Sequence, residues 1–102
     1  MVNISLVDLM KKVEEYHEEE KKMILKAYQY AAYLHDGQYR QSGDAYIIHP
    51  LNVAYILAEM HADCDTICAG LLHDTLEDTK ITKEDIEENF NSDVAKLVNG
   101  VT

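Results

Sequence analysis

The sequence predicts an all-α fold, a bundle of about six helices. Its 102 residues include one proline and four glycines, too few for the frequent turns of a β-rich chain. Apolar residues recur at the helical spacing of about 3.6 residues along nearly the whole chain. No repeat, low-complexity tract or linker interrupts this pattern, so we expect residues 1–102 to belong to one domain.

The first two helices are marked by their ends. Ser5 followed by Asp8 is a helix-capping pattern, and apolar residues follow it at helical spacing. A second helix is expected from about Glu18 to Leu34, and Gly37 ends it. Residues 36–48 are expected to form a loop.

The later helices surround the most apolar segment of the chain. A third helix has Pro50 in its first turn, and a fourth begins near Asp63 or Asp65, either of which can cap it. Residues 67–72 of the fourth helix are apolar all round, which predicts a central position in the fold. Two further helices are expected, with caps at Thr82 (in a capping pattern with Asp85) and at Ser92.

Composition excludes several classes of function. The net charge of −10 argues against a nucleic-acid binder, although a bound cation could still admit a small phosphorylated ligand. No apolar stretch approaches the roughly 20 residues that span a bilayer, and no secretory signal is visible, so a cytoplasmic protein without membrane contact is expected. Cys64 and Cys68 could help to bind a metal, but buried thiols in a reducing compartment fit their apolar surroundings better.

Four polar residues follow the apolar segment of the fourth helix. They are expected near the C-terminal end of this helix, where His73 stacks over Glu77, and Asp74 stacks over Asp78. The three carboxylates would then repel one another unless a cation, water or protonation intervened, and acidic groups are unfavourable at a helix C-terminus. Either this helix end emerges into solvent, or the residues form a functional site.

His49 favours the second interpretation. It lies at a loop-to-helix junction beside Pro50, from which it can reach a neighbouring helix. With His73 and Asp74 it makes a mixed nitrogen and oxygen ligand set, which suits manganese, iron or zinc better than calcium. The other histidines are weaker candidates, expected at the surface or at helix ends: His17, His35 and His61.

The loop before His49 contains groups that suit a nucleotide. Arg40 can pair with a phosphate or stack on a base, and Tyr39 and Tyr46 offer flat surfaces. Such residues in a loop are often incidental. Because this loop runs directly into His49, however, it must border the suspected metal site.

These segments resemble a known family. The strings GQYRQSGDAYIIHPLNVAYILAEM, TICAGLLHDTLEDT and VAKLVNGVT are similar to the N-terminal HD-type hydrolase domain of the RelA/SpoT family. The similarity runs from about Ile24 to Thr102. It implies an HD-domain helical bundle that hydrolyses the 3′-pyrophosphate of guanosine tetra- and pentaphosphate to GDP or GTP with manganese. It also implies that the chain is a fragment of a bifunctional synthetase and hydrolase of the stringent response.

The resemblance also implies roles for individual residues. His49, His73 and Asp74 would bind one Mn²⁺, and Glu77 and Asp78 would orient or activate the hydrolytic water. The residues implied to contact the nucleotide are Arg40, Gln41, Ser42 and Tyr46. Among these, Gln41 departs from the lysine common in the family, so one positive contact would be missing.

A fourth ligand, an aspartate, is implied on a helix beyond Thr102. The 102 residues are therefore expected to be the N-terminal portion of the hydrolase domain, with weak metal binding, and synthetase and regulatory domains are possible downstream. Two alternatives remain open: a different HD-type nucleotide phosphohydrolase, and a non-catalytic regulatory module with the same fold.

Overall fold

Seven α-helices and their connections make up residues 4–100, the part of the chain that the structure, a computed structural model, describes. The helices are α1 (Leu6–Lys12), α2 (Glu18–Leu34), α3 (Ile48–Glu59), α4 (Cys64–Leu72), α5 (Thr75–Asp78), α6 (Lys83–Asn89) and α7 (Ser92–Gly100). The all-α class is confirmed. No described helix is both long and apolar enough to cross a membrane.

The predicted helix starts are largely confirmed. Ser5 and Asp8 form a reciprocal capping box on α1, and Thr82 and Asp85 form another on α6. Of the two candidate caps for α4, Asp63 is the one whose side chain accepts a hydrogen bond, from the backbone N–H of Thr66. At α7 the expected cap is shifted by one residue, because the Asn91 side chain, rather than that of Ser92, accepts from the Val94 N–H at 2.8 Å.

Helix α4 lies at the centre of the fold, as its apolar sequence predicts. It contacts α2, α3 and α7, and its residues from Ile67 to Leu72 are all buried. Helix α3 runs antiparallel to it across a tight turn. Gly70 allows the two to approach closely, because a Cβ atom there would lie 2.7 Å from the Leu57 Cδ1.

One continuous fourth helix was expected through Asp78, and this prediction was wrong. Helix α4 ends at Leu72, and a separate one-turn helix, α5, begins at Thr75. Glu77 and Asp78 therefore belong to the short α5 and do not lie at the negative end of α4. The seventh helix of the described chain comes from this division.

The two cysteines are free and buried in α4. The Cys64 thiol donates to the Glu20 carbonyl at 3.6 Å. The neighbouring Cys64 thiol, together with burial, raises the pKa of Cys68. Among residues 4–100, the one group of side chains able to hold a metal ion contains neither cysteine.

Candidate metal centre

The helical hairpin of α3 and α4 brings two histidines together. His49 is the second residue of α3, and His73 directly follows α4. Because the helices are antiparallel, the start of α3 lies beside the end of α4, and the two imidazole rings are 5.2 Å apart between centroids. The first turn of α3 and the residue after α4 thus contribute to one site.

Side chains that bond to the last turn of α4 explain why it ends where it does. The His73 Nδ1 lies 2.6 Å from the Gly70 carbonyl oxygen, and the buried Thr75 hydroxyl donates to the Leu72 carbonyl at 2.6 Å. These side chains supply partners for carbonyl groups that a helix end leaves unpaired. The chain turns at His73 and Asp74 as a result, and both side chains project to the same site.

Three possible ligand atoms converge there. The Asp74 Oδ2 lies 3.1 Å from the His73 Nε2 and 3.7 Å from the His49 Nε2, and the three atoms lie within 4.8 Å of one another. The bond to the Gly70 carbonyl places the His73 proton on Nδ1 and leaves Nε2 free as a ligand. Burial lowers the pKa of His49, with Arg40 and His73 adding to the effect, so its imidazole favours the neutral form that binds metals.

The arrangement fits a divalent cation. Two ligands at right angles around an ion with bonds of about 2.1 Å are separated by about 3 Å, close to the shorter distance here. Two imidazole nitrogens and one carboxylate oxygen suit manganese, iron or zinc. Asp74 would also offset the charge of the ion.

Tyr46 links this centre to α5. Its hydroxyl lies 2.8 Å from the Asp74 Oδ2 and 2.9 Å from the Asp78 Oδ2, so one phenol bridges two carboxylates. Burial is the largest cause that raises the pKa of Tyr46 above its usual value, and the bonds to the two aspartates reinforce it. Tyr46 was predicted to line a nucleotide pocket, and its bridging position was not foreseen.

Glu77 is less closely connected than its sequence partner. Its side chain is exposed, and its carboxylate makes no hydrogen bond or ion pair to any residue in the range 4–100. Asp78 is also exposed, yet it is tied to the centre through Tyr46. The structure thus joins one member of the pair to the candidate metal ligands.

The loop before α3 folds back on itself as a short hairpin. Tyr39 and Ala45 form an antiparallel β-bridge, and the Arg40 N–H donates to the Asp44 carbonyl at 2.9 Å. Gly43 closes the turn with φ 93°, a left-handed conformation that favours glycine. The hairpin therefore presents its side chains on a defined scaffold.

This hairpin and the metal ligands enclose one cavity of about 750 Å³. All four residues predicted to contact a nucleotide line it, together with the candidate ligands His49 and Asp74. Sequence reasoning did not single out the remaining lining residues, which are Tyr39 (considered only as a flat surface), Asp44, Ile48 and Asn52. The volume is within the usual range of small-molecule sites.

His35 is the most important residue that the sequence analysis undervalued. It was expected as a helix-end cation, but only 2% of it is exposed, and its ring stacks on Tyr46 with centroids 4.6 Å apart. A signal was present, because His35 follows the buried Ala31 by four residues and so extends the apolar stripe of α2. By contrast, His17 is exposed at the start of α2, as expected.

Fold and site together define a helical domain with a mixed histidine and aspartate centre at the end of a helical hairpin. Residues 27–102 match the family model described as HD domain. The chain belongs to the HD domain family.

The relatives narrow this class and confirm the resemblance to RelA/SpoT hydrolase domains. The chain is 50% identical over 99 residues to a guanosine-3′,5′-bis(diphosphate) 3′-pyrophosphohydrolase of Aquifex aeolicus, covering 97% of this chain and 14% of the relative. It is 52% identical over 91 residues to a GTP pyrophosphokinase of Myxococcus xanthus, covering 88% of this chain and 12% of the relative. The chain therefore spans a small part of these proteins.

A solved structure supports the same family relationship. The chain is similar to a metazoan orthologue of SpoT that hydrolyses ppGpp, with a TM-score of 0.73 and 38% identity over 78% of this chain and 47% of the other.

Proposed function

We propose that this chain carries the metal centre and part of the nucleotide pocket of a manganese-dependent hydrolase, which removes the 3′-pyrophosphate from guanosine tetra- or pentaphosphate. The observation that carries the proposal is the shared cavity, in which the Arg40 hairpin faces His49 and Asp74. A nucleotide held by the hairpin would have its phosphates beside the metal ligands. Relatives named for this hydrolysis and for GTP pyrophosphokinase activity support the assignment. Because the chain spans a small part of them, they also support a longer parent protein that contains synthetase and regulatory domains.

Three side chains would hold the ion, namely His49, His73 and Asp74. When bound, a divalent cation polarises a phosphoryl group and lowers the pKa of water at the site. The acidic surroundings would otherwise repel a substrate with several phosphates, and the ion together with Arg40 offsets that repulsion. A fourth protein ligand from a later segment would complete this set.

Asp78 is the residue best placed to handle the water. In the reaction, the water oxygen forms a bond to the phosphorus attached to the ribose 3′ oxygen, and the bond between that phosphorus and the 3′ oxygen breaks. A carboxylate takes the proton from the water, and the 3′ oxygen gains a proton. Tyr46 holds Asp78 beside the metal ligand Asp74, while Glu77 would need to turn inward to share the task.

The loop residues would bind the rest of the substrate. Arg40 can stack on the guanine or pair with a phosphate, and Ser42 and Gln41 can donate hydrogen bonds to phosphate oxygens. The Ser42 hydroxyl already donates to the Asp44 carboxylate at 3.1 Å, which holds it on the cavity side of the turn.

The test is release of pyrophosphate from guanosine tetraphosphate, with Mn²⁺ added, by this chain and by its full-length parent. We expect hydrolysis by the parent, and loss of it with Asp78→Asn while Mn²⁺ binding, measured by calorimetry, is retained. The matched control is Asp93→Asn, an exposed aspartate on α7. If the parent released no pyrophosphate but hydrolysed another nucleotide, the alternative HD phosphohydrolase would be correct. If it bound the nucleotide and turned over nothing, a regulatory module would be correct.

A further inference from the structure

Beneath Tyr46 lies a small polar assembly that the proposed reaction does not use. His35, at the C-terminal end of α2, is buried and stacks on the Tyr46 ring with an angle of 27° between the planes. The other buried residues of α2 are Ile24, Ala27 and Ala31, all apolar. An apolar side chain at position 35 would fill the same space without the free-energy cost of burying two ring nitrogens, so packing alone does not explain the imidazole.

Gln38 supplies one. Its Oε1 lies 2.9 Å from the His35 Nδ1, and its Nε2 donates to the Asp78 carbonyl at 3.1 Å. The two contacts fix the orientation of the amide, because the oxygen can only accept and the nitrogen can only donate. The His35 proton therefore lies on Nδ1. Nε2 is then a bare acceptor, and it is buried with no hydrogen-bond partner among the described residues.

Two routes thus run from His35 to α5. One passes through the stacked ring of Tyr46 to the side chains of Asp74 and Asp78. The other passes through Gln38 to the backbone of Asp78. In addition, the Tyr46 N–H donates to the Gln38 carbonyl at 3.0 Å, so the two residues that mediate these contacts are also bonded to each other through the backbone.

We propose that His35 and Gln38 are positioning residues. They hold Tyr46 and α5 in the relative position at which the Tyr46 hydroxyl contacts both Asp74 and Asp78. The need for such support follows from the break after α4. A one-turn helix that follows a two-residue turn has little rigidity of its own, since short helices depend on tertiary contacts. His35 directly follows the much longer α2, Gln38 lies in the loop just beyond it, and both provide such contacts.

The geometric test uses the metal-free chain and needs no catalysis. In selectively labelled protein, the hydroxyl proton of Tyr46 is followed by NMR, and Tyr46→Phe identifies its signal. We expect His35→Ala and Gln38→Leu to speed exchange of this proton with water, because a hydroxyl that is held less firmly against its two carboxylates is exposed to water more often. His35→Phe, which keeps the stack but not the Nδ1 contact, should give a smaller change.

The control is His17→Ala, an exposed histidine at the other end of α2. Circular dichroism separates loss of position from loss of fold. If His35→Ala unfolds the chain, Gln38→Leu decides alone, because Gln38 is only partly buried. Unchanged exchange in Gln38→Leu, or equal exchange in native protein and folded His35→Ala, overturns the proposal.

A second measurement rests on the proposed function and is kept separate. In the full-length parent, Gln38→Leu should lower kcat for pyrophosphate release by about 10–100-fold and leave KM nearly unchanged, because it disturbs Asp78 and not the Arg40 hairpin. A rise in KM of about 10–100-fold with kcat unchanged would contradict a positioning role. If the native parent has no hydrolase activity, the proposed function fails, while the NMR result still decides whether His35 and Gln38 position Tyr46.

Discussion

Thr75 offers a direct test of why the fourth helix ends at Leu72. Its side chain is completely buried, and its hydroxyl donates to the Leu72 carbonyl at 2.6 Å. In Thr75→Val the hydroxyl is replaced by a methyl group. Burial of the methyl contributes about 0.8 kcal/mol, whereas a buried carbonyl left without its partner costs about 1–3 kcal/mol. We therefore expect a net loss on the order of 1 kcal/mol.

For a domain of this size, 1 kcal/mol corresponds to a fall in Tm of roughly 4–8 °C. Thermal unfolding of the metal-free chain, followed by circular dichroism, measures it. Thr66→Val on the same helix is the control, because the Thr66 hydroxyl makes no hydrogen bond within residues 4–100, and its Tm should change little. A Tm for Thr75→Val equal to or above that of the native chain would refute the explanation of the helix break.

Three further predictions follow from the site and the caps. Mn²⁺ is expected to raise the Tm of the native chain, and His49→Ala should abolish most of this rise. Because protons compete with the metal for His49, whose pKa burial lowers, the rise should shrink once the pH falls below that lowered pKa. Burial raises the pKa of Tyr46, so above about pH 10 the unfolded chain loses this proton before the folded chain does. Urea unfolding of the metal-free protein should thus show stability falling as the pH rises above about 10, less steeply in Tyr46→Phe than in the control Tyr33→Phe, whose ring is exposed. Thr82→Ala removes one half of the capping box with Asp85 and should lower the free energy of unfolding by about 0.5–2 kcal/mol, with no effect on Mn²⁺ binding.

Features encoded by neighbouring residues were predictable from sequence. The capping boxes at Ser5 and Thr82 depend on a partner three residues away, and the central position of α4 follows from its uninterrupted apolar residues. For His49 the sequence predicted only that it could reach a neighbouring helix, and the structure identifies that helix as α4, with His73 directly after its end.

Features that depend on distant contacts were not predictable. The division of the fourth helix arises where His73 and Thr75 turn back onto backbone carbonyls, and periodicity alone does not distinguish this from a continuous helix. The Tyr46 hydroxyl reaches aspartates 28 and 32 residues away, and His35 is buried by contact with Tyr46. Such contacts exist only after the chain has folded.

The close approach at Gly70 has a consequence for substitution. A Cβ atom at this position would lie 2.7 Å from the Leu57 Cδ1, so any larger residue requires the partly buried Leu57 side chain to move. The Gly70 carbonyl also holds the ring of His73, so a substitution that displaced this backbone would change the distance between the His49 and His73 rings. Position 70 is therefore coupled to the candidate metal centre without being part of it.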